Sequence, residues 1–292
     1  MQVSALLKPN GIFPLGYDCS LIHSSILTLF GSLQVPSSIR TGNSNNWHPA
    51  HMSPTILITG ASSGLGLAFL QHYASQTPHP AIVALDNAPF PSEIPLSKHV
   101  TFFQANVTST SDLKSIQTSL SNTPVDLIIH CAGIRGLVPR LVQEKYGDVA
   151  AAETLGVMDH STFTKTFEVN TWGTLSMITS FLPNLRSAEN ARVVILSSRM
   201  GSVGANKAGG GYAYRASKAA LNAVVKSLVI DVPEVTFLLL HPGRVETGLV
   251  DWKEEGAISV QESLRDCLDV MDKLKKEDSG KLVDRFGEVI PW

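Results

Sequence analysis

The sequence predicts an α/β fold built as a doubly wound parallel β-sheet, a three-layer sandwich in a single domain. Three observations predict it: short, almost continuously apolar runs recur from Thr55 to Leu240, segments of helical periodicity separate them, and a glycine-rich turn joins the first run to the first helical segment. Runs without polar alternation belong to strands covered on both faces, and parallel strands need helical crossovers between them. A chain of 292 residues holds one such domain of roughly 240 residues plus an appendage, so a second full domain is not expected.

The expected strands are TILIT (55–59), AIVAL (81–85), VTFFQA (100–105), VDLIIH (125–130), RVVILS (192–197) and VTFLLL (235–240). Leu65, Ala68, Phe69, His72 and Tyr73 recur at helical spacing after the first, as do Leu113, Ile116 and Leu120 after the third. Both segments read as amphipathic helices packed on the sheet. Asn170 falls at helical spacing with Phe163, Phe167, Thr174 and Phe181, which puts an amide on an otherwise buried stripe, where it needs partners. Near the end, Ser259 and Glu262 form a capping box for a helix whose inner face carries Val260, Leu264, Leu268, Met271 and Leu274. The sum is a Rossmann-like sandwich over residues 53–292.

Residues 1–52 read differently, being rich in Ser, Pro, Gly and Asn, with Lys8, Asp18 and Arg40 as the charged residues besides histidines. They are expected to be an N-terminal extension, disordered or an artefact of the gene model with the true start at Met52. The scarcity of acids suits an organelle-targeting peptide, but two basic residues in about fifty support that alternative only weakly. The apolar stretch Leu21 to Val35 is interrupted by His23, Ser24, Ser25 and Thr28 and falls short of the ~20 residues that span a bilayer. A formal net charge of −2 and 16% charged residues lack the basic surplus of a nucleic-acid binder. Cys19, Cys131 and Cys267 fit neither a metal-ligand pattern nor a disulfide framework. No nucleic-acid partner, no membrane and no metal are therefore expected, and a cytoplasmic setting is the default.

The run TGASSGLG (59–66) follows the first strand and opens the first helix. In that context Gly60 permits a tight turn, Gly64 lets the backbone approach a pyrophosphate and Gly66 allows close helix packing, while Ser62, Ser63 and Leu65 complete the N–H-rich helix start. Asp86 ends the second strand, twenty residues after Gly66. A carboxylate there can accept hydrogen bonds from the adenine-ribose hydroxyls and repels a 2′-phosphate, so NAD is favoured over NADP, the alternative being a solvated loop acid. Asn106 and Val107 follow the third strand and are placed to line an adenine pocket. Cys131, Ala132 and Gly133 follow the fourth and can lie against the cofactor's ribose, with Cys131 read as a small buried hydrophobe rather than a redox centre.

Tyr214 precedes Lys218 by four residues in YRASK, and Ser198 stands sixteen residues before Tyr214. On a helix the four-residue spacing sets both side chains on one face. A phenol titrates near ~10, so acid or base work at neutral pH needs a cation that favours the phenolate, and Lys218 can be that cation. Ser198, at the end of the fifth strand, can donate a hydrogen bond to a carbonyl oxygen as charge develops on it.

These residues resemble the short-chain dehydrogenase/reductase family over about residues 54–292. The family's TGxxxGxG pattern reads as Thr59, Gly60, Gly64 and Gly66, and its Asn, Ser, Tyr, Lys tetrad as Asn170, Ser198, Tyr214 and Lys218. SSRMGSVGANKAGGGYAYRASKAALN, HPGRVETG and the terminal SGKLVDRFGEVIPW are similar to the C-factor-like branch, which includes carbonyl reductases. The resemblance implies that Tyr214 exchanges a proton with substrate, that Lys218 also reaches the nicotinamide ribose, and that Asn170 holds a water relaying protons from Lys218, unless it is a structural tie from helix to sheet. It further implies that Pro242, Gly243, Val245 and Thr247 touch the cofactor, and that residues 248–259 form a mobile lid. A homodimer or homotetramer through the helices of Asn170 and Tyr214 is expected by the same analogy. His130-Cys131 replaces the family's usual pair of asparagines, which puts the bracing of the sheet centre in question, and Arg244 replaces an aromatic.

The function implied is an NAD(P)-dependent oxidoreductase interconverting a small-molecule ketone or aldehyde and its alcohol, with Tyr214 as general acid/base. The alternative is a non-catalytic dinucleotide-binding regulatory or signalling protein on the same fold.

Overall fold

The computed structural model describes residues 53–250 and 254–292, so the expectation for residues 1–52 lies outside the described residues. The strands are β1 Thr55–Thr59, β2 Ala81–Asp86, β3 Val100–Gln104, β4 Leu127–His130, β5 Arg192–Leu196, β6 Thr236–His241 and β7 Leu282–Asp284. The helices are α1 Gly64–Ala74, α2 Thr110–Leu120, α3 Pro139–Glu144, α4 His160–Phe167, α5 Gly173–Arg186, α6 Tyr212–Asp231 and α7 Val260–Asp272.

All seven strands pair in parallel, in the order β3-β2-β1-β4-β5-β6-β7. The doubly wound α/β sandwich is therefore the observed fold. Alternate residues of each strand feed two cores. Leu57 packs with Met177, Phe181, Leu221 and Val225 beneath α5 and α6, whereas Ile56 and Ile58 pack with Phe69, Cys267 and Met271 beneath α1 and α7. Burial of each such side chain contributes roughly 1.5–3 kcal/mol, which is why the strands carry no polar alternation. Successive strands run outward from β1 one way and from β4 the other, and this reversal opens a crevice at the carboxyl ends of the strands.

Three local features depart from the sequence reading. β7 has three residues, too short to stand out as a run, yet Leu282 and Val283 enter opposite cores. Between α4 and α5 lies a π turn, Glu168–Trp172, and it moves the buried line. Thr162, Thr166, Asn170 and Thr174 face inward, while Phe163 is exposed and stacks on Phe167 with ring centroids 5.0 Å apart. At α7 the Ser259 hydroxyl caps Glu262 N at 3.1 Å, but the Glu262 carboxylate turns to Arg285 at 2.8 Å, so half of the expected box forms. Val260, Leu264, Leu268 and Leu274 do pack against the core as partly buried residues, with Met271 fully inside.

Candidate active site

Loops after β1 to β6 enclose a crevice of about 460 Å³. The glycine turn forms one end. An ideal Cβ on Gly66 falls 1.9 Å from the carbonyl oxygen of Gly60, so helix α1 can dock here only through a glycine. Gly60 itself has φ +66°, and a Cβ there meets Ala132 N at 2.9 Å. Ser63, Gly64 and Leu65 line the crevice with these glycines, and the first-turn N–H groups of α1 lack helical partners. No acidic residue occupies that turn, which leaves the positive end of the helix for an anion. Thr247, in the loop after β6, lies over the turn, its Cβ 3.1 Å from the position of a Cβ on Gly64.

Asp86 is fixed by two backbone donors, Ser62 N to Oδ2 at 2.9 Å and Ala88 N to Oδ1 at 3.0 Å. Ser62 is buried behind the turn, where its N–H orients that carboxylate. Asn106 accepts from Thr108 N and Oγ1, both at 3.0 Å, in a local turn that presents Asn106 and Val107 to the crevice. Cys131, Ala132 and Gly133 form the opposite wall with Pro242, Gly243 and Val245. A carbon placed on Gly133 would lie 3.1 Å from Asn170 Oδ1 and 3.7 Å from Lys218 Nζ. These backbone-lined walls, with an acid and a helix N-terminus among them, fit an extended nucleotide cofactor.

Ser198, Tyr214 and Lys218 meet at the other end of the crevice. Helix α6 sets Tyr214 and Lys218 on one face, with Lys218 Nζ 5.8 Å from the phenol ring centroid and 2.8 Å from the Leu196 carbonyl. Burial lowers the Lys218 ammonium to about 8. Burial likewise raises the Tyr214 phenol above its ordinary range, against Arg135, whose guanidinium lowers it, and then the Ser198 hydroxyl. The phenol is therefore protonated at neutral pH, the form that can donate.

Asn170 sits within the π turn, fully buried and outside the crevice wall. Its Oδ1 accepts from Ile134 N at 2.8 Å, and its Nδ2 donates to Ile134 O at 2.9 Å and to Ser217 Oγ at 3.0 Å. The amide so clamps the loop after β4 to helix α6.

The replacement at residues 130 and 131 has a physical answer. Thr174 donates its hydroxyl to Asn170 O at 2.9 Å, so His130 Nε2 carries the hydrogen given to Thr174 at 2.9 Å, and Nδ1 accepts from Thr59 at 2.8 Å. One neutral imidazole thus ties β1, β4 and α5. Burial, then the Lys218 charge, lowers it to about 3. Burial also drives the Cys131 thiol well up, which suits a small apolar wall rather than a reactive sulfur. Arg244 hydrogen-bonds Glu255 O at 3.0 Å, and Val245 bridges Ile258, so the segment just before the expected lid is tied to the lid's C-terminal part; residues 251–253 lie outside the described residues.

Sequence reasoning missed several wall residues, Ile134, Lys165, Val169 and His241 among them. It also missed Arg135, whose guanidinium carbon lies 4.9 Å from the Tyr214 ring centroid. No spacing rule joins Arg135 to Tyr214, because the segment between β4 and α4 brings them together through its own small core of Val138, Leu141 and Ala152. Among the described residues no group of three or more His, Cys, Asp or Glu side chains could hold a metal ion, and no helix is long and apolar enough to cross a membrane.

A family model described as short chain dehydrogenase matches residues 54–257. C-signal of Myxococcus xanthus is 37% identical over 182 residues, covering 62% of this chain and all of that protein. The 1-hydroxy-2-glutathionyl-2-methyl-3-butene dehydrogenase of Rhodococcus sp. is 33% identical over 193 residues, covering 64% of this chain and 78% of that one. Among solved structures, NADPH-bound carbonyl reductase from chicken fatty liver superposes with a TM-score of 0.68 at 25% identity, covering 82% of this chain and 99% of its own.

Proposed function

The chain belongs to the short-chain dehydrogenase family, a family of NAD(P)-dependent oxidoreductases, and from that premise we propose that it interconverts a small-molecule ketone or aldehyde and the corresponding alcohol. The observation that carries the reading is the convergence of Tyr214, Ser198 and Lys218 on the crevice that the glycine turn closes at its far end. When bound, the nicotinamide supplies or accepts the hydride at the substrate carbon. Ser198 donates a hydrogen bond to the carbonyl oxygen and stabilises the charge that gathers there. Tyr214 gives its proton to that oxygen in reduction and takes it back in oxidation. Lys218, anchored on Leu196 O, supplies positive charge beside the phenol, and Asn170 keeps the loop after β4 fixed against α6.

The glycine turn and the α1 N-terminus would hold the pyrophosphate, with Thr247 over it, and Asn106, Val107, Cys131, Ala132 and Gly133 the adenine and ribose. NAD is favoured because Asp86 meets the adenine ribose and the adjoining wall residues, Asn87 and Ala88, bring no cation. A homodimer or homotetramer follows by analogy with the family.

A second reading, a dinucleotide-binding signalling protein without turnover, is favoured by the 37% identity to a protein named C-signal. One experiment separates the two. NADH consumption is followed with a panel of aromatic ketones and aldehydes, for wild type and Tyr214→Phe. Catalysis predicts a loss of at least about 100-fold in turnover with cofactor fluorescence retained. Equal rates in both proteins overturn the role of Tyr214, and no consumption by wild type with any carbonyl favours the signalling reading.

A further inference from the structure

Two cations flank the Tyr214 ring, and the nearer one lies outside the YxxxK motif. Arg135 Cζ stands 4.9 Å from the ring centroid and Lys218 Nζ 5.8 Å. Arg135 is held by a two-pronged ion pair, Nε to Glu153 Oε2 at 2.9 Å and Nη2 to Glu153 Oε1 at 2.8 Å, with side-chain exposures of 14% and 11%. The fork is anchored at every neighbour. Asn170 grips both backbone polar groups of Ile134, and Gly136, at φ +73°, packs so closely that a Cβ there would fall 2.4 Å from Thr166 Oγ1. The backbone oxygen of Glu153 accepts from Gly211 N at 3.1 Å, at the residue that caps α6 three positions before Tyr214. The planar guanidinium is thus pinned over an aromatic face, an arrangement a flexible ammonium does not reproduce.

We propose that Arg135, braced by Glu153, is a positioning residue for Tyr214: it fixes the ring and supplies the permanent positive charge that favours the ionised phenol. This rests on the reading of Tyr214 as the proton-exchanging group. The geometry gives the cation a task Lys218 cannot fill alone. An arginine keeps its charge at every working pH, whereas burial brings Lys218 to about 8 and so toward neutrality where oxidation needs the phenolate. The groups that face Tyr214 are Arg135 and Glu153 from the segment after β4, Ser198 after β5, Lys218 on its own helix, and Glu254 from the loop after β6. Arg135 and Ser198 lower the phenol, and Glu153 and Glu254 raise it. Arg135 does not line the crevice; it acts on the O–H equilibrium of Tyr214.

The test is the pH profile of kcat/KM for alcohol oxidation with NAD, using the alcohol of whichever panel carbonyl the wild type reduces. R135Q moves the acidic limb upward by about one unit, an approximately tenfold loss below the limb, while E153Q moves it downward. The double variant R135Q/E153Q leaves no unpaired charge and keeps the test readable where a single variant does not fold; its limb also moves upward, by less. Ultraviolet titration of tyrosinate, as the difference between each protein and its Y214F counterpart, reads the same interaction without substrate. An unmoved limb or titration midpoint in R135Q and in the double variant, or equal shifts of one sign in R135Q and E153Q, overturns the proposal. Absence of turnover in wild type overturns the functional reading alone, and the titration then decides the pairing.

Discussion

Acid should weaken this fold through one imidazole. His130 is 1% exposed and held between Thr59 and Thr174, and burial, aided by the Lys218 charge, depresses it from 6.5 to about 3. The sign follows from which state binds the proton. Between those two values the unfolded chain takes up a proton that the folded chain refuses, so stability rises with pH across the window and is lost as pH falls through it. At about pH 5 the unfolded imidazole lies roughly 1.5 units below its own pKa, and at ~1.4 kcal/mol per unit the penalty relative to about pH 7 is roughly 2 kcal/mol. His241, lowered to about 4 by burial and then Arg199, adds a slope of the same sign, so the measurement must be a difference. Urea unfolding of wild type and His130→Asn at both pH values isolates it. The variant should lose roughly 2 kcal/mol less than wild type on acidification. Identical losses in the two proteins refute the buried neutral imidazole.

Two further outcomes follow from the cofactor end. Gly66→Ala places its methyl 1.9 Å from Gly60 O; the backbone must shift, at a cost of about 1–3 kcal/mol, and both the unfolding midpoint and NADH fluorescence enhancement should fall together. Asp86→Arg exchanges an acid fixed by Ser62 N and Ala88 N for a cation, and the ratio of NADH to NADPH affinity should drop by at least about tenfold, or ~1.4 kcal/mol. A wild type that already prefers NADPH overturns the NAD assignment.

The parts of this fold legible in the sequence are those governed by local chemistry. β1 to β6 show as apolar runs because both sheet faces are covered, and the glycine turn shows because only a residue without Cβ fits where Gly66 meets Gly60. β7 was not legible: three residues, Leu282–Asp284, gain their strand conformation from pairing with β6 rather than from their own pattern. The stripe through Phe163 and Phe167 misled because regular helical counting does not anticipate a π turn. The site divides along the same line. Tyr214 and Lys218 share one helix, and their spacing reads directly, whereas Arg135 and Glu153 reach Tyr214 only once the loop between β4 and α4 has folded on its own apolar cluster. The bracing by His130 is hidden in the sequence for a different reason. Its partners Thr59 and Thr174 lie 71 and 44 residues away.

The wide turn at Glu168–Trp172 also sets the phase between two helices. Thr162, Thr166, Asn170 and Thr174 all point inward, although three steps of four residues would drift about 120° around an ordinary helix. One additional residue looped out of the α ladder takes up about 100° of that drift. Straightening the turn into regular α-helix with every residue kept would rotate α4 relative to α5 by that amount, carrying the Phe163 and Phe167 rings toward the sheet. The shared inward line of Thr162 and Thr166 with Asn170 and Thr174 therefore depends on one residue staying looped out of the ladder more than on the identity of the side chains within the turn.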